Sequence, residues 1–293
     1  MRFIHVLTGE PVEERYAEWL DPNYEYYRPE HVGDAQMMVD LIRYLEAREI
    51  GANTTVGTRL DYLTFREIAE FSGREVWIAA WNGQYHVLYH WLGEEAGPWY
   101  GAEITGVTPD LATAAELVQA AFRRAFAPYT EQQLHAMRRG WALTDHRTPE
   151  PRPPRPAGPR LPLRRISQQP EPVEDVYRRI ADTGDRRLAP KAQAMLELLP
   201  LLERNRRYRR FWAYTDQTNL VFTDTDGPHA GVTLAANRTL FIDTLTTNTT
   251  SYRFSYALPA DSAPWPDARI STYTEDTEKA DELLEAALGR LFG

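Results

Sequence analysis

The stretch GPWYGAEITGVTPDLATAAELVQAAFRRAF (residues 97–126) returns near the other end of the chain as APWPDARISTYTEDTEKADELLEAALGRLF (residues 263–292). The two align without a gap and match at thirteen positions: Pro98/Pro264, Trp99/Trp265, Ala102/Ala268, Ile104/Ile270, Thr108/Thr274, Asp110/Asp276, Ala114/Ala280, Glu116/Glu282, Leu117/Leu283, Ala120/Ala286, Ala121/Ala287, Arg124/Arg290 and Phe126/Phe292. So many ungapped matches point to a duplicated supersecondary unit that closes each half. Ala102 and Ile104 alternate with a polar residue, as do Ala268 and Ile270, which reads as a short strand. Asp110 and Asp276 stand where a carboxylate can accept the first N–H groups of a helix. Behind them Ala114, Leu117, Val118, Ala121, Phe122 and Ala125 fall on one helical face, and so do Ala280, Leu283, Leu284, Ala287, Leu288 and Leu291. The pattern is a strand followed by a capped helix laid on a sheet.

Outward from the first copy, Val76 to Trp81 and Gln84 to Trp91 flank Asn82-Gly83, a strong hairpin signal. Pairing across that turn puts Val76, Ile78, Ala80, Tyr85, Val87 and Tyr89 on one face, under the helix of Leu117 and Phe122. The other face then carries Trp77, Ala79, Trp81, His86, Leu88 and His90, which is too apolar for a side left to water. The repeat alignment disagrees, because it sets His86, Leu88 and His90 against Tyr252, Phe254 and Tyr256. A one-residue difference in loop length would reconcile the two, and the hairpin pairing takes precedence. Trp77, Trp81, His86, Leu88 and His90 are the candidate partner-facing residues. A second domain, the N-terminal helix of Tyr16 and Trp19, a second subunit or a bound peptide could each cover them.

The rest of the first half is plainer. Phe3 to Leu7 reads as a strand or extended arm, and Val12, Tyr16, Trp19 and Leu20 mark a short helix that Asp21-Pro22 stops. Tyr24, Tyr26 and Tyr27 form a tyrosine loop. Asp34 is placed to cap a helix of Ala35, Met38, Val39, Ile42 and Leu45. Residues 54–72 support neither period. Thr130-Glu131-Gln132-Gln133 has the form of a capping box before a short helix of Leu134, Met137 and Trp141.

Nine prolines and six arginines crowd residues 147–172. Such a segment reads as an extended linker, expected to yield two folded pieces when cut. In the second half, helices are expected near Val173 to Ile180 and from Pro190, with Pro200 kinking or ending the latter. Strands are expected at 211–215, 219–223, 232–235, 239–245 and 251–258. The whole reads as α+β: two related helix–antiparallel sheet–helix domains, 1–146 with an N-terminal extension and 173–293, joined by the Pro/Arg-rich linker 147–172.

The 293 residues suffice for about two ordinary domains. The net charge of −9 argues against general affinity for nucleic acid or anionic membrane. There is no cysteine, which excludes disulfides and thiolate chemistry and fits a cytoplasmic protein. The apolar run Phe3 to Leu7 is too short for a signal peptide, and no apolar run is long enough for a membrane span. Arginine in excess of lysine, with abundant alanine and proline, suggests a GC-rich bacterial source.

The usual catalytic fingerprints are absent: no phosphate-binding loop, no dinucleotide glycines, no His-Glu-x-x-His, no nucleophile elbow. His86 and His90 sit on one strand face about 13 Å apart, too far to chelate one ion as a pair. Asp224-Thr225-Asp226-Gly227 has the opening of a calcium loop without its distal glutamate, and a turn explains it as well. Arg204 to Arg210 reads as a cationic helix end. No catalytic residue, metal ligand or cofactor is expected.

The order helix, antiparallel strands, helix, ending in Ala-x-Glu-Leu-Leu-x-x-Ala-Leu-x-x-Leu-Phe-Gly (Ala280 to Gly293), resembles the YbjN and type III secretion chaperone-like domains of actinobacteria. The resemblance implies non-catalytic, peptide- or protein-binding modules used in tandem. A chaperone-like binding protein is therefore the first expectation. A toxin-neutralising immunity protein, or an enzyme whose site forms between the two halves, is the alternative.

Overall fold

The computed structural model describes residues 2–25, 27–59, 62–67, 74–92, 94–127, 159–228, 231–240 and 248–293. The fold is mixed α+β, with antiparallel strand pairing and, among the described residues, six α-helices. The chain divides into two compact units. Unit 1 comprises Met1–Gly93, Glu103–Arg152 and Ala263–Ala268; unit 2 comprises Glu94–Ala102, Pro153–Ser262 and Arg269–Gly293. The expected capping box at residues 130–133 and its helix lie outside the described residues, as does the linker up to residue 158.

Unit 1 carries α1 (Val12–Ala17), α2 (Val32–Ala47), then β1 (Thr54–Arg59), β2 (Tyr62–Glu67), β3 (Glu75–Trp81), β4 (Gln84–Trp91), β5 (Ala102–Thr108) and α3 (Leu111–Ala125). The strands lie side by side in chain order. Asn82 and Gly83 both have positive φ, as a two-residue hairpin turn requires, and the register pairs Val76 with Tyr89, Ile78 with Val87 and Ala80 with Tyr85. All six are buried, as the turn geometry predicts. α2 and α3 lie on this inner face: the Tyr85 hydroxyl donates to the Met37 carbonyl, and Phe122 meets Phe65 edge-on at 5.0 Å. Within residues 54–72, which show no clean period, 54–59 and 62–67 are β1 and β2, and the others lie outside the described residues. The reason is visible in β2, where Leu63, Thr64 and Phe65 are buried in succession, so burial does not alternate.

Unit 2 carries α4 (Val173–Asp182), α5 (Ala189–Arg204), then β6 (Trp212–Asp216), β7 (Asn219–Thr223), β8 (Val232–Leu240), β9 (Asn248–Ala257), β10 (Arg269–Thr274) and α6 (Thr277–Phe292). These five strands also lie in chain order. Two expectations need correction. Of the two alternatives for Pro200, a kink or an end, the end does not occur: α5 runs on to Arg204 with Leu198, Leu199 and Leu202 buried. The expected strands 232–235 and 239–245 are one strand, β8, as far as Leu240, with 241–245 outside the described residues, and β9 begins at Asn248, before the expected start at 251. Pairing of Ala236, Asn237 and Arg238 with Tyr252, Ser251 and Thr250 overrides the weak local propensity there.

The caps of the repeated unit form as read. Asp110 accepts from the Thr113 amide at 2.7 Å, and Asp276 from the Glu278 amide at 2.7 Å and the Lys279 amide at 3.3 Å. The Thr113 bonds hold the Asp110 carboxyl below its ordinary value. Asp34, expected as a cap, is instead inside α2, which starts at Val32.

Trp99 belongs to unit 2 although it precedes β5, and Trp265 belongs to unit 1 although it precedes β10. Trp99 is fully buried; its indole N–H donates to the Leu283 carbonyl at 3.0 Å, and its ring meets Tyr256 edge-on at 5.0 Å. Trp265 meets Tyr89 edge-on at 5.9 Å. A Cβ on Gly106 would stand 2.6 Å from the Trp265 indole nitrogen, so only glycine admits this ring. The Trp265 N–H finds no acceptor among the described residues, unlike that of Trp99. Tyr89 precedes Trp99 by ten positions and Tyr256 precedes Trp265 by nine. That one-residue difference is why Tyr252, Phe254 and Tyr256 face inward in β9 while His86, Leu88 and His90 face outward in β4.

Part of the proline-rich stretch is docked on unit 2. The Ala213 amide donates to the Arg164 carbonyl at 2.7 Å, Arg165 bridges Ala213 in parallel, and Leu163 and Ile166 are buried. The Ser167 amide donates to Asp226 at 2.5 Å. These two apolar anchors make 159–167 part of the unit despite its prolines.

Three buried tyrosines set an alkaline limit. Burial, then the charges of Asp40 and Asp110, push the Tyr85 hydroxyl up to about 12; burial alone raises Tyr177, and burial raises Tyr256 against the opposing Arg290. Each keeps its proton longer in the native state, so its contribution is complete below about pH 10, the ordinary tyrosine value, and is lost as pH climbs through the raised value. The melting temperature is expected to fall steadily above that point, and Tyr85→Phe to flatten part of the fall in a pH series of thermal melts.

Candidate functional site

The outer face of unit 1 is built by the residues that alternate with its core. On β3 and β4 the register sets Trp77 opposite Leu88, Ala79 opposite His86 and Trp81 opposite Gln84. Trp77, His86, Leu88 and His90 are half-buried, and Trp81 is 62% exposed. The Trp77 indole N–H donates to Glu75 at 2.7 Å, and its ring meets Tyr62 of β2 edge-on at 5.6 Å. Glu75 is held in turn by Arg66 at 2.6 Å. The Trp81 ring lies 6.2 Å from that of His86. All five sequence-derived candidates therefore share one face.

A cavity of about 410 Å³ opens beside them. Four of the five line it: Trp77, Trp81, His86 and Leu88; His90 does not. The cavity also meets residues from the helical side, Tyr16, Trp19, His31, Asp34, Ala35 and Met38, together with Tyr62 and Thr105. Since Ala80 and Val87 of the inner face border it too, it reaches around the hairpin end of the sheet. Tyr16 and Trp19 contribute to the lining, with their rings 6.2 Å apart.

Asp34 is the residue that sequence reasoning assigned to another task. Its carboxylate accepts the Gly83 amide at 2.9 Å and the Asn82 amide at 3.2 Å, pinning the hairpin turn to the first turn of α2. No local signal announces a bond that spans 48 residues. An acidic residue in a helix's first turn fits a cap equally well on sequence grounds.

Unit 2 provides an internal comparison. Tyr89 and Tyr256 each face a tryptophan ring, and the residues just before them, Leu88 and Ser255, occupy the outer face of the fourth strand. Leu88 pairs with Trp77, whereas Ser255 pairs with Thr233; His86 pairs with Ala79, whereas Arg253 pairs with Ala235. The central strand pair thus tolerates polar residues at these positions, on a face that unit 2 shares with Trp212, Tyr214, Val221 and Tyr273. The Trp77–Leu88 pairing in particular is not a requirement of the sheet.

Other polar groups singled out in the sequence have structural partners. The Arg204 to Arg210 segment ends α5 and forms a 3-10 turn that Asn205 caps, with Arg207 paired to Glu285 and Arg210 over the Phe211 ring at 4.6 Å. Buried Asp281 receives the Tyr208 hydroxyl and the Asn205 amide. Among the described residues, no group of three or more His, Asp or Glu is arranged to hold a metal ion, and no helix is long and apolar enough to cross a membrane. Comparison of the chain with protein-family models, with curated proteins and with solved structures finds no match.

Proposed function

We propose that the chain is a non-catalytic, chaperone-like binding protein, and that the hairpin end of unit 1 receives a segment of a partner protein. The observation that supports this most is the contrast between the Trp77–Leu88 pair of unit 1 and the Thr233–Ser255 pair of unit 2. Apolar aromatic surface kept where the fold tolerates serine and threonine indicates a task other than folding. The cavity adds the concave shape and aromatic lining common to binding sites.

In this reading the two units descend from one helix–meander–helix ancestor. The thirteen matched positions, the equal strand orders and the Trp99–Tyr256 and Trp265–Tyr89 contacts support common descent. Unit 1 kept or gained the binding surface, and unit 2 carries a polar pair, Thr233 and Ser255, at the corresponding central positions. The tandem, peptide-binding character of YbjN-like domains accords with this, as does a cytoplasmic setting for a chain without cysteine.

The test is the double variant Trp81→Ala with Leu88→Ala, assayed for recovery of the partner from the host and for thermal stability. Because Trp81 is largely exposed and Leu88 half-buried, stability is expected to change little while recovery collapses. Outright unfolding of the variant would instead assign these residues to the core and remove the binding claim.

A further inference from the structure

Resting on that reading, we propose that the cavity of unit 1 takes a lysine or arginine side chain of the partner. Among the described residues, its lining holds one formally charged group, the Asp34 carboxylate, and no lysine or arginine. Each Asp34 oxygen accepts one amide of the hairpin turn, which leaves further acceptor capacity on the carboxylate. Trp19, Tyr62, Trp77 and Trp81 contribute aromatic rings to the lining, and an aromatic ring face attracts ammonium and guanidinium groups through its negative quadrupole. Tyr62 and Trp81 are exposed, so their rings are accessible to an incoming side chain. The volume of about 410 Å³ is ample for such a side chain with its flanking backbone. A net charge of −9 favours the approach of a basic partner. An acidic segment would meet the carboxylate without any lysine or arginine among the described lining residues, and a purely aliphatic one would leave Asp34 without a new partner.

The experiment is an NMR titration of the full chain with three probes: Nα-acetyl-lysine methylamide, Nα-acetyl-arginine methylamide and the neutral Nα-acetyl-norleucine methylamide. The indole N–H signals of Trp77 and Trp81, assigned through Trp77→Phe and Trp81→Phe, report occupancy. The cationic probes are expected to shift them and norleucine to bind about tenfold more weakly or not at all. Asp34→Asn should weaken the cationic probes severalfold. Trp81→Leu keeps apolar area, removes the ring and does not touch the hairpin bonds of Asp34, so it should weaken the same probes even if Asp34→Asn disturbs the turn. Equal binding of norleucine and lysine compounds would overturn the cation assignment and leave the binding cavity standing. The absence of shifts with all three would overturn both.

Discussion

Trp99→Ala is expected to loosen unit 2 by about 3–5 kcal/mol, the usual range for emptying a large buried aromatic site. The ring is fully enclosed, packs edge-on against Tyr256 and donates to the Leu283 carbonyl of α6, so its loss leaves both a cavity and an unpaired backbone acceptor. For a unit of this size the melting temperature should fall by roughly 10 °C. Hydrogen exchange locates the effect: protection should drop across β9, β10 and α6, while β3, β4 and α3 keep theirs. The mirror experiment is Trp265→Ala, or Gly106→Ala, which thrusts a methyl group into the Trp265 indole. Both should raise exchange in β3, β4 and α3. For the two tryptophan variants, a drop in protection confined to the sequence half that contains the substituted ring would contradict the exchanged assignment of the two tryptophans.

The same exchange decides what happens when the chain is cut. A specific protease site placed between residues 147 and 158 is expected to give two fragments that remain together through gel filtration and part only in denaturant. Unit 1 needs Ala263–Ala268 and unit 2 needs Glu94–Ala102, so each unit contains residues from both fragments. Separation would strip Trp265 from Tyr89 and Gly106, and Trp99 from Tyr256 and α6. Each exposed aromatic site opposes dissociation by several kcal/mol, on the order of the burial of one large side chain apiece. The sequence composition alone predicts two folded pieces. Fragments that elute separately, each with a native circular dichroism spectrum, would restore that simpler picture.

What was legible in the sequence was local. Asp110 and Asp276 cap helices through amides two or three residues away, and a cap announces itself in a short window. Asn82-Gly83 fixed the hairpin register, and through it the face of every residue from Val76 to Tyr89. The candidate face was legible for that reason, down to the parity conflict that a one-residue loop difference resolves. What stayed hidden depends on distance or on burial from two sides. β2 buries three residues in a row, so no period marks it. Asp34 finds its partners 48 and 49 residues on, and the cavity needs α1, α2 and the hairpin brought together. Leu163 and Ile166 sit among prolines and arginines whose composition says spacer, yet both are anchors. The exchange of Trp99 and Trp265 left no trace in composition or period, because it concerns which core each ring enters.

In the function proposed, the outer face and cavity of unit 1 await another molecule. A photo-crosslinking amino acid in place of Tyr62, which borders the cavity and is 42% exposed, tests it in the host cell. After irradiation, sequencing of the crosslinked peptides should show a segment of a second protein with lysine or arginine beside the attachment point. Crosslinks only to other residues of this same chain would mean that the face is covered from within, and would contradict the account.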